Sequence, residues 1–135
     1  MNYNIKQIEV RFRDLDLFGH VNNAVYLTYL ELSRMHYFDG MNFSGLNWKT
    51  LGVILARTEI DYIIPVLLGD YLEIEIWCDR IGGKSFDFSY RFYTTKDGKQ
   101  TTVAKAKTVM VCFDYSKGIS VEMPESWKEI LKKKN

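Results

Sequence analysis

Asp14-Leu15-Asp16-Leu17-Phe18-Gly19-His20-Val21-Asn22-Asn23 runs straight into Ala24-Val25-Tyr26-Leu27-Thr28-Tyr29-Leu30-Glu31, and the join between them decides how this chain folds. The first ten residues are mostly polar and hold a turn glycine, so they read as a loop. Residues 23–38 contain no Gly or Pro. Within them Ala24, Val25, Tyr26, Leu27, Tyr29, Leu30, Leu32, Met35, Tyr37 and Phe38 go nearly all the way round a helix. A helix apolar on most faces is a buried one. Asn22 or Asn23 is expected as its N-cap. Gly40 is expected to end it, at or just past C′.

Strands are expected on both sides of that helix. Upstream, residues 5–12 alternate, with Lys6, Ile8, Val10 and Phe12 opposite Gln7, Glu9 and Arg11. Downstream, residues 52–64 read as a long strand stopped by Pro65. Over 71–78, Leu72, Ile74, Ile76 and Cys78 oppose Tyr71, Glu73, Glu75 and Trp77. Over 86–93, Phe86, Phe88, Tyr90 and Phe92 share a face against Asp87, Ser89, Arg91 and Tyr93. Asp97-Gly98 is a hairpin signal. Residues 101–113 form the last strand, where Ala104 and Ala106 are small enough for a helix to approach. Pro124 opens an amphipathic helix through Trp127, Ile130 and Leu131, followed by a solvated Lys132-Lys133-Lys134 tail. The expected order is one strand, one buried helix, then four strands in meander. That is an α+β architecture, an antiparallel five-stranded sheet wrapped around a long central helix. No repeat or linker divides residues 1–135, which read as a single domain. Aromatic strand faces and open edges point to pairing with a second copy.

Composition narrows the function. The chain has 135 residues, 47% apolar and 26% charged, as expected of a folded globular protein. A net charge of +1 disfavours nucleic acid, because phosphate-backbone binding needs a basic face. No run approaches the length of a membrane span. The first residues lack an apolar signal, so a cytoplasmic location is expected. Cys78 and Cys112 lie far apart in strand-like segments and are expected as buried free thiols. No G-x-S-x-G occurs, which leaves a serine-elbow hydrolase unsupported. Gly83-Lys84-Ser85 looks like the end of a P-loop, but Cys78 stands where its first glycine belongs.

The loop at the helix start carries the chemistry. A helix start leaves four N–H groups without intrahelical partners. Those groups and the helix dipole suit a developing negative charge. Asp16 lies a few residues upstream and can face the same spot. A carboxylate plus oxyanion donors is the minimum equipment for acyl transfer. Asp14 reads as a loop or capping residue. His20 reads as an assistant to the site or as a structural histidine. Glu31 and Arg34, at i,i+3 spacing, read as a buried or interfacial ion pair. Asp14, Asp16 and His20 lack the spacing of a metal site, and no metal is expected.

The run from Asp14 to Glu31, closed by Arg34, resembles the signature of hotdog-fold acyl-CoA thioesterases of the 4-hydroxybenzoyl-CoA thioesterase-like family. Ile60-Asp61-Tyr62, Pro65 and Gly69-Asp70 extend the likeness. The resemblance implies a hotdog fold, hydrolysis of acyl-CoA to a carboxylic acid and free CoA, no separate cofactor, and a homodimer or homotetramer. It implies Asp16 as the essential carboxylate, acting as general base or nucleophile. The Asn23 backbone N–H would hold the carbonyl, with His20 beside it. Asn22 and Tyr26 are expected against the substrate, with Leu27, Tyr62, Phe86 and Phe88 as further candidate walls of an acyl tunnel. Lys84 and Ser85, after Gly82-Gly83, are expected to bind a CoA phosphate. Two other functions stay open. Relatives acting on acyl-carrier-protein thioesters also carry His-Val-Asn-Asn, and hotdog folds also serve as non-catalytic acyl-thioester-binding modules.

Overall fold

A computed structural model describes residues 2–43, 46–47 and 49–133. Its elements in chain order are β1 (Ile5–Ile8), a 3-10 turn (Phe12–Asp14), α1 (Val25–Met41), β2 (Leu51–Tyr62), β3 (Leu72–Ile81), β4 (Ser85–Lys96), β5 (Lys99–Asp114), β6 (Ile119–Ser120) and α2 (Glu125–Lys132). Lys134, the last of the basic tail, lies outside the described residues. The strands form one antiparallel sheet in the spatial order β1-β3-β4-β5-β2, with the two-residue β6 added beside β5. The expected four-strand meander is therefore corrected. Only β3, β4 and β5 are consecutive neighbours. β2 crosses to the far side of β5 and becomes an edge.

The alternation in β4 builds the floor of the core. Phe86, Phe88 and Phe92 are fully buried and Tyr90 nearly so. α1 lies on that aromatic row. Tyr37 and Phe38 meet the Phe88 ring at 5.1 and 5.8 Å, and Tyr26 meets Phe92 at 5.4 Å. Truncating one of these phenylalanines to alanine costs about 3–5 kcal/mol. Ala104 and Ala106 are buried in the neighbouring strand, as their size suggests. α2 closes one end of the core through Trp127, whose ring lies 5.7 Å from Phe43.

Three local expectations are also corrected. The first strand stops at Ile8 rather than Phe12, because the Asp14 carboxylate takes the Arg11 backbone N–H at 3.0 Å and turns the chain. Phe12 is left exposed. α1 is capped at Ala24, not at Asn22 or Asn23. Gly40 lies inside α1, and the helix ends at Asn42 in the left-handed region, with φ 55°. A Cβ at Gly40 would overlap the Tyr3 ring, so this glycine serves close approach rather than termination.

Candidate active site

The loop before α1 is held open by one carboxylate. Asp16 Oδ1 accepts the backbone N–H groups of Phe18 at 2.9 Å and His20 at 3.2 Å. The Asp16 N–H donates to the His20 carbonyl at 2.7 Å, and the Gly19 N–H donates to the Asp16 carbonyl at 3.1 Å. Gly19, at φ +81°, supplies the left-handed residue that this turn requires. Asp16 Oδ2 takes no hydrogen bond from any described residue. The side chain thus spends one oxygen on the loop and keeps the other.

Asp14 has a different task. It is buried and accepts from Arg11 Nη2 at 3.0 Å and from the Tyr29 hydroxyl at 2.7 Å. Burial pushes its carboxyl up, but the Arg11 backbone N–H, the Tyr29 hydroxyl and the Arg11 guanidinium outweigh that and hold it below the ordinary carboxylate value. It anchors the loop to α1, as its reading as a capping residue suggests.

The start of α1 supplies the donors. Asn22 Oδ1 accepts the Ala24 N–H at 2.9 Å, and the Asn22 carbonyl accepts the Val25 N–H at 2.9 Å. The Asn23 N–H meets no acceptor among the described residues. Its carbonyl is fixed from outside, where the Tyr62 hydroxyl donates to it at 3.0 Å. Tyr62 also stands edge-on to Tyr26, with centroids 4.9 Å apart. Burial pushes the Tyr26 phenol up, against a hydrogen bond with the Val66 backbone that pulls it down.

Asp16, His20, Asn23 and Tyr26 line one cleft of about 270 Å³, together with Val21, Tyr62, Ile63, Ile64 and Pro65. The segment after β2 closes it. Val21 N–H donates to the Val66 carbonyl at 2.8 Å, and His20 bridges to Leu67. The sequence flagged Tyr62 only as a wall residue, and its clamp on the helix start was missed. Pro65 was the available signal, since it breaks the strand just where the chain must fold back over the site.

Lys84 and Ser85 are not at this cleft. Ser85 pairs with Val111 of β5, while Tyr62 pairs with Ala104. That is seven residues along β5, roughly 23 Å at strand rise. The Ser85 hydroxyl accepts from Arg80 Nη2 at 2.8 Å, and Lys84 is exposed. Phe86 and Phe88 sit in the core beneath α1, outside the cleft lining. Among the described residues no group of three or more His, Cys, Asp or Glu is placed to hold a metal, and no helix is long and apolar enough to cross a membrane.

A free carboxylate oxygen and an unclaimed amide N–H in one small, partly apolar cleft can activate water beside a carbonyl and stabilise the oxyanion that results. Comparison with known proteins bears on this arrangement. The model of the thioesterase-like superfamily matches residues 10–131. The chain is 35% identical over 112 residues to the long-chain acyl-CoA thioesterase FadM of Escherichia coli K12, spanning 80% of this chain and 81% of that protein. It is 28% identical over 122 residues to the 1,4-dihydroxy-2-naphthoyl-CoA hydrolase of Nostoc punctiforme, spanning 86% of this chain and 78% of that one. The crystal structure of a Thermus thermophilus thioesterase complexed with coenzyme A and Zn superposes with a TM-score of 0.80 at 33% identity, covering 96% of this chain and 97% of that one. The fold is the hotdog arrangement that the Asp14–Arg34 signature implies, and the chain belongs to the thioesterase-like superfamily.

Proposed function

We propose that this protein is a thioester hydrolase that cleaves acyl-CoA to a carboxylic acid and free CoA at the cleft between Asp16 and Asn23. Hydrolase activity rests on membership of the family and on relatives named as acyl-CoA thioesterases and hydrolases. The observation that carries the site assignment is the split use of Asp16. One oxygen is fixed by two N–H groups, and the other is unclaimed in the same cleft as the unclaimed Asn23 N–H.

In the reaction, the free oxygen of Asp16 takes a proton from water as the water oxygen bonds to the thioester carbon. The Asn23 N–H donates to the carbonyl oxygen as it becomes an oxyanion. The C–S bond then breaks, and the thiolate takes the proton from Asp16. As a nucleophile, Asp16 would instead bond to the carbonyl carbon and expel the thiolate. Water would then cleave the resulting anhydride. A thiolate leaves readily, so neither route needs a metal or redox cofactor. His20 borders the site, and Tyr26 with Tyr62 forms the wall for the acyl group. Asn22 shapes the helix start through its Asx turn.

A homodimer completes this reading. β2 is an edge strand of 12 residues, paired with β5 on one side, and a two-fold contact across its other side would reverse the direction of the second sheet. The partner's Lys84 and the partner's Ser85 would then move toward the cleft, where they could hold a CoA phosphate. A cytoplasmic location fits the two free cysteines and a coenzyme A substrate.

The test is free-thiol release from short, medium, long and aromatic acyl-CoAs by wild type and Asp16→Asn. Turnover that falls at least about 100-fold in the folded variant supports the assignment. Equal rates in the two proteins remove Asp16 from the mechanism. Turnover of an acyl-carrier-protein thioester alone shifts the substrate class, and tight acyl-CoA binding without turnover leaves a binding module.

A further inference from the structure

Two short turns carry apolar side chains into solvent beside the cleft. Leu17 is 96% exposed and Phe18 81%, at the tip of the loop that holds Asp16. Leu67 and Leu68, in the turn after β2, are exposed as well. The two turns are neighbours. His20 bridges Leu67 in antiparallel register, and one further step along that register sets Leu68 opposite Gly19. Ile63 and Ile64 are exposed and line the cleft, so they carry this apolar surface to its mouth.

Both tips are held out by a carboxylate. Asp16 Oδ1 accepts the Phe18 and His20 N–H groups across the first turn. Asp70 closes the second. Its Oδ2 accepts the Leu67 N–H at 2.9 Å, and its own N–H donates to the Leu67 carbonyl at 3.2 Å. Each acid turns an oxygen onto the backbone, and the apolar side chains stay outside. Proteins rarely leave a contiguous apolar patch in water unless it meets another surface. Charge identifies that surface. The 3-10 turn joins the base of the first hairpin, where its Phe12 carbonyl accepts the Leu15 N–H at 3.2 Å. Phe12 is 81% exposed and stands between Arg11 and Arg13, both exposed. Arg13 makes no ion pair with any described residue. Apolar tips beside an aromatic residue between two arginines match the acyl layer and the phosphates of a bilayer.

We propose that these turns dock the protein on an anionic phospholipid bilayer, with Leu17, Phe18, Leu67 and Leu68 in its acyl layer and Arg11 and Arg13 among its phosphates. The contact is peripheral and uses loops, so it needs no membrane-spanning segment. None of the four apolar residues belongs to β2, whose free edge the homodimer reading uses. Docking turns the mouth of the cleft toward the lipid. An acyl-CoA with a long chain partitions into a bilayer through that chain. The docked cleft would take such a substrate from the lipid rather than from water. Docking stands apart from the chemistry, while the supply of substrate from the bilayer rests on the hydrolase reading.

The test is flotation with phosphatidylcholine vesicles, plain or containing about one third phosphatidylglycerol, which supplies the anionic charge. Wild type should float with the anionic vesicles. Leu17→Ser combined with Leu68→Ser should weaken that binding at least about 10-fold, because both side chains leave the acyl layer. Arg13→Glu should weaken it at least about 5-fold on anionic vesicles. All three positions are exposed and outside the cleft lining, so hydrolysis of a short, water-soluble acyl-CoA should not change. Hydrolysis of a long-chain acyl-CoA carried in the anionic vesicles should fall with the binding. A wild type that ignores anionic vesicles overturns the proposal. So does equal binding by wild type and the double variant, or equal binding to plain and anionic vesicles. Loss of self-association in the double variant, read by sedimentation, would assign the tips to a subunit contact and overturn it too. Thiol release from the short substrate reports separately on the chemistry. An active enzyme that ignores vesicles refutes docking alone, and an inactive protein that binds them refutes the hydrolase reading alone.

Discussion

The Tyr29 hydroxyl donates to Asp14 Oδ2 at 2.7 Å, tying the second turn of α1 to the loop that carries Asp16. The two residues are fifteen apart in sequence. Because Asp14 also takes the Arg11 backbone N–H and guanidinium, one buried carboxylate fixes the end of β1, the loop and the helix together. The candidate catalytic residue sits two positions later, so its placement depends on this anchor.

Asp14→Asn should lower stability by about 2 kcal/mol at pH 7, because it weakens a buried charge-assisted network. That corresponds to roughly 8 °C in Tm for a chain of this size. The Asp14 carboxyl is held below its ordinary value in the folded state. Its contribution is therefore complete above the unfolded carboxylate value, about 4, and fades as pH falls through the depressed folded value. Thermal melts of wild type and variant should converge as pH falls from 7 toward 3. A constant gap across that range would show that the charge is not the source.

Two Asp16 variants should separate loop structure from chemistry. Asparagine keeps an oxygen to accept the Phe18 and His20 N–H groups. Asp16→Asn should thus melt within about 2 °C of wild type while losing the free carboxylate oxygen and its activity. Asp16→Ala should lose the activity and about 1–3 kcal/mol of stability as well. Calorimetry alongside thiol release reads both effects.

Tyr62→Phe removes the hydroxyl that clamps the Asn23 carbonyl. The ring contact with Tyr26 survives, so the cleft wall persists. A net hydrogen bond of about 1 kcal/mol, felt as positioning of the adjacent peptide, predicts a kcat loss of about 3- to 10-fold. KM should barely move. A rise in KM with kcat unchanged would mean that the Tyr62 hydroxyl contacts substrate rather than positioning the helix start.

Gly40→Ala should destabilise the protein although alanine is the better helix former. The added methyl falls on the Tyr3 ring, which also lies 5.5 Å from His36. Gly40→Ala combined with Tyr3→Ala should recover most of the loss. Non-additivity in that double-mutant cycle, read by denaturant melts, is the check.

Neither thiol should take part in the reaction. Burial pushes Cys78 and Cys112 up to about 11. At neutral pH both are protonated and poorly reactive. Iodoacetamide should leave the native enzyme's turnover unchanged, and both cysteines should alkylate in denaturant. Rapid inactivation with labelling of Cys78 would contradict this.

The strands and the central helix were legible because their cues are local. Alternation in β4 and β3 depends on a period of two that any window of sequence shows. The loop at Asp16 was legible for a similar reason, since its turn glycine and the helix behind it are adjacent in the chain. Strand order was not legible. The β2 pattern would suit a place beside β3 as well as one beside β5, and only the packed sheet distinguishes them. The helix cap was missed because Asn22 spends its side chain on Ala24 one step before the helix begins. Gly40 was misread because its reason is Tyr3, thirty-seven residues upstream.

The sequence by itself determined where the long helix runs, which strand faces are apolar, and that Asp16 stands just ahead of a helix start, but not that Leu27 and Leu32 on that helix stay exposed. Each follows from periodicity and turn chemistry within about ten residues. The tertiary structure decided which acids are spent and which are free. It assigned Asp14 to Tyr29 and Arg11, left one oxygen of Asp16 and the Asn23 amide unclaimed among the described residues, moved Lys84 and Ser85 to the other end of the sheet, and buried Arg34 against the Tyr90 hydroxyl. Those outcomes depend on contacts between distant segments. Hydrogen bonds and buried charges are satisfied in space, not along the chain.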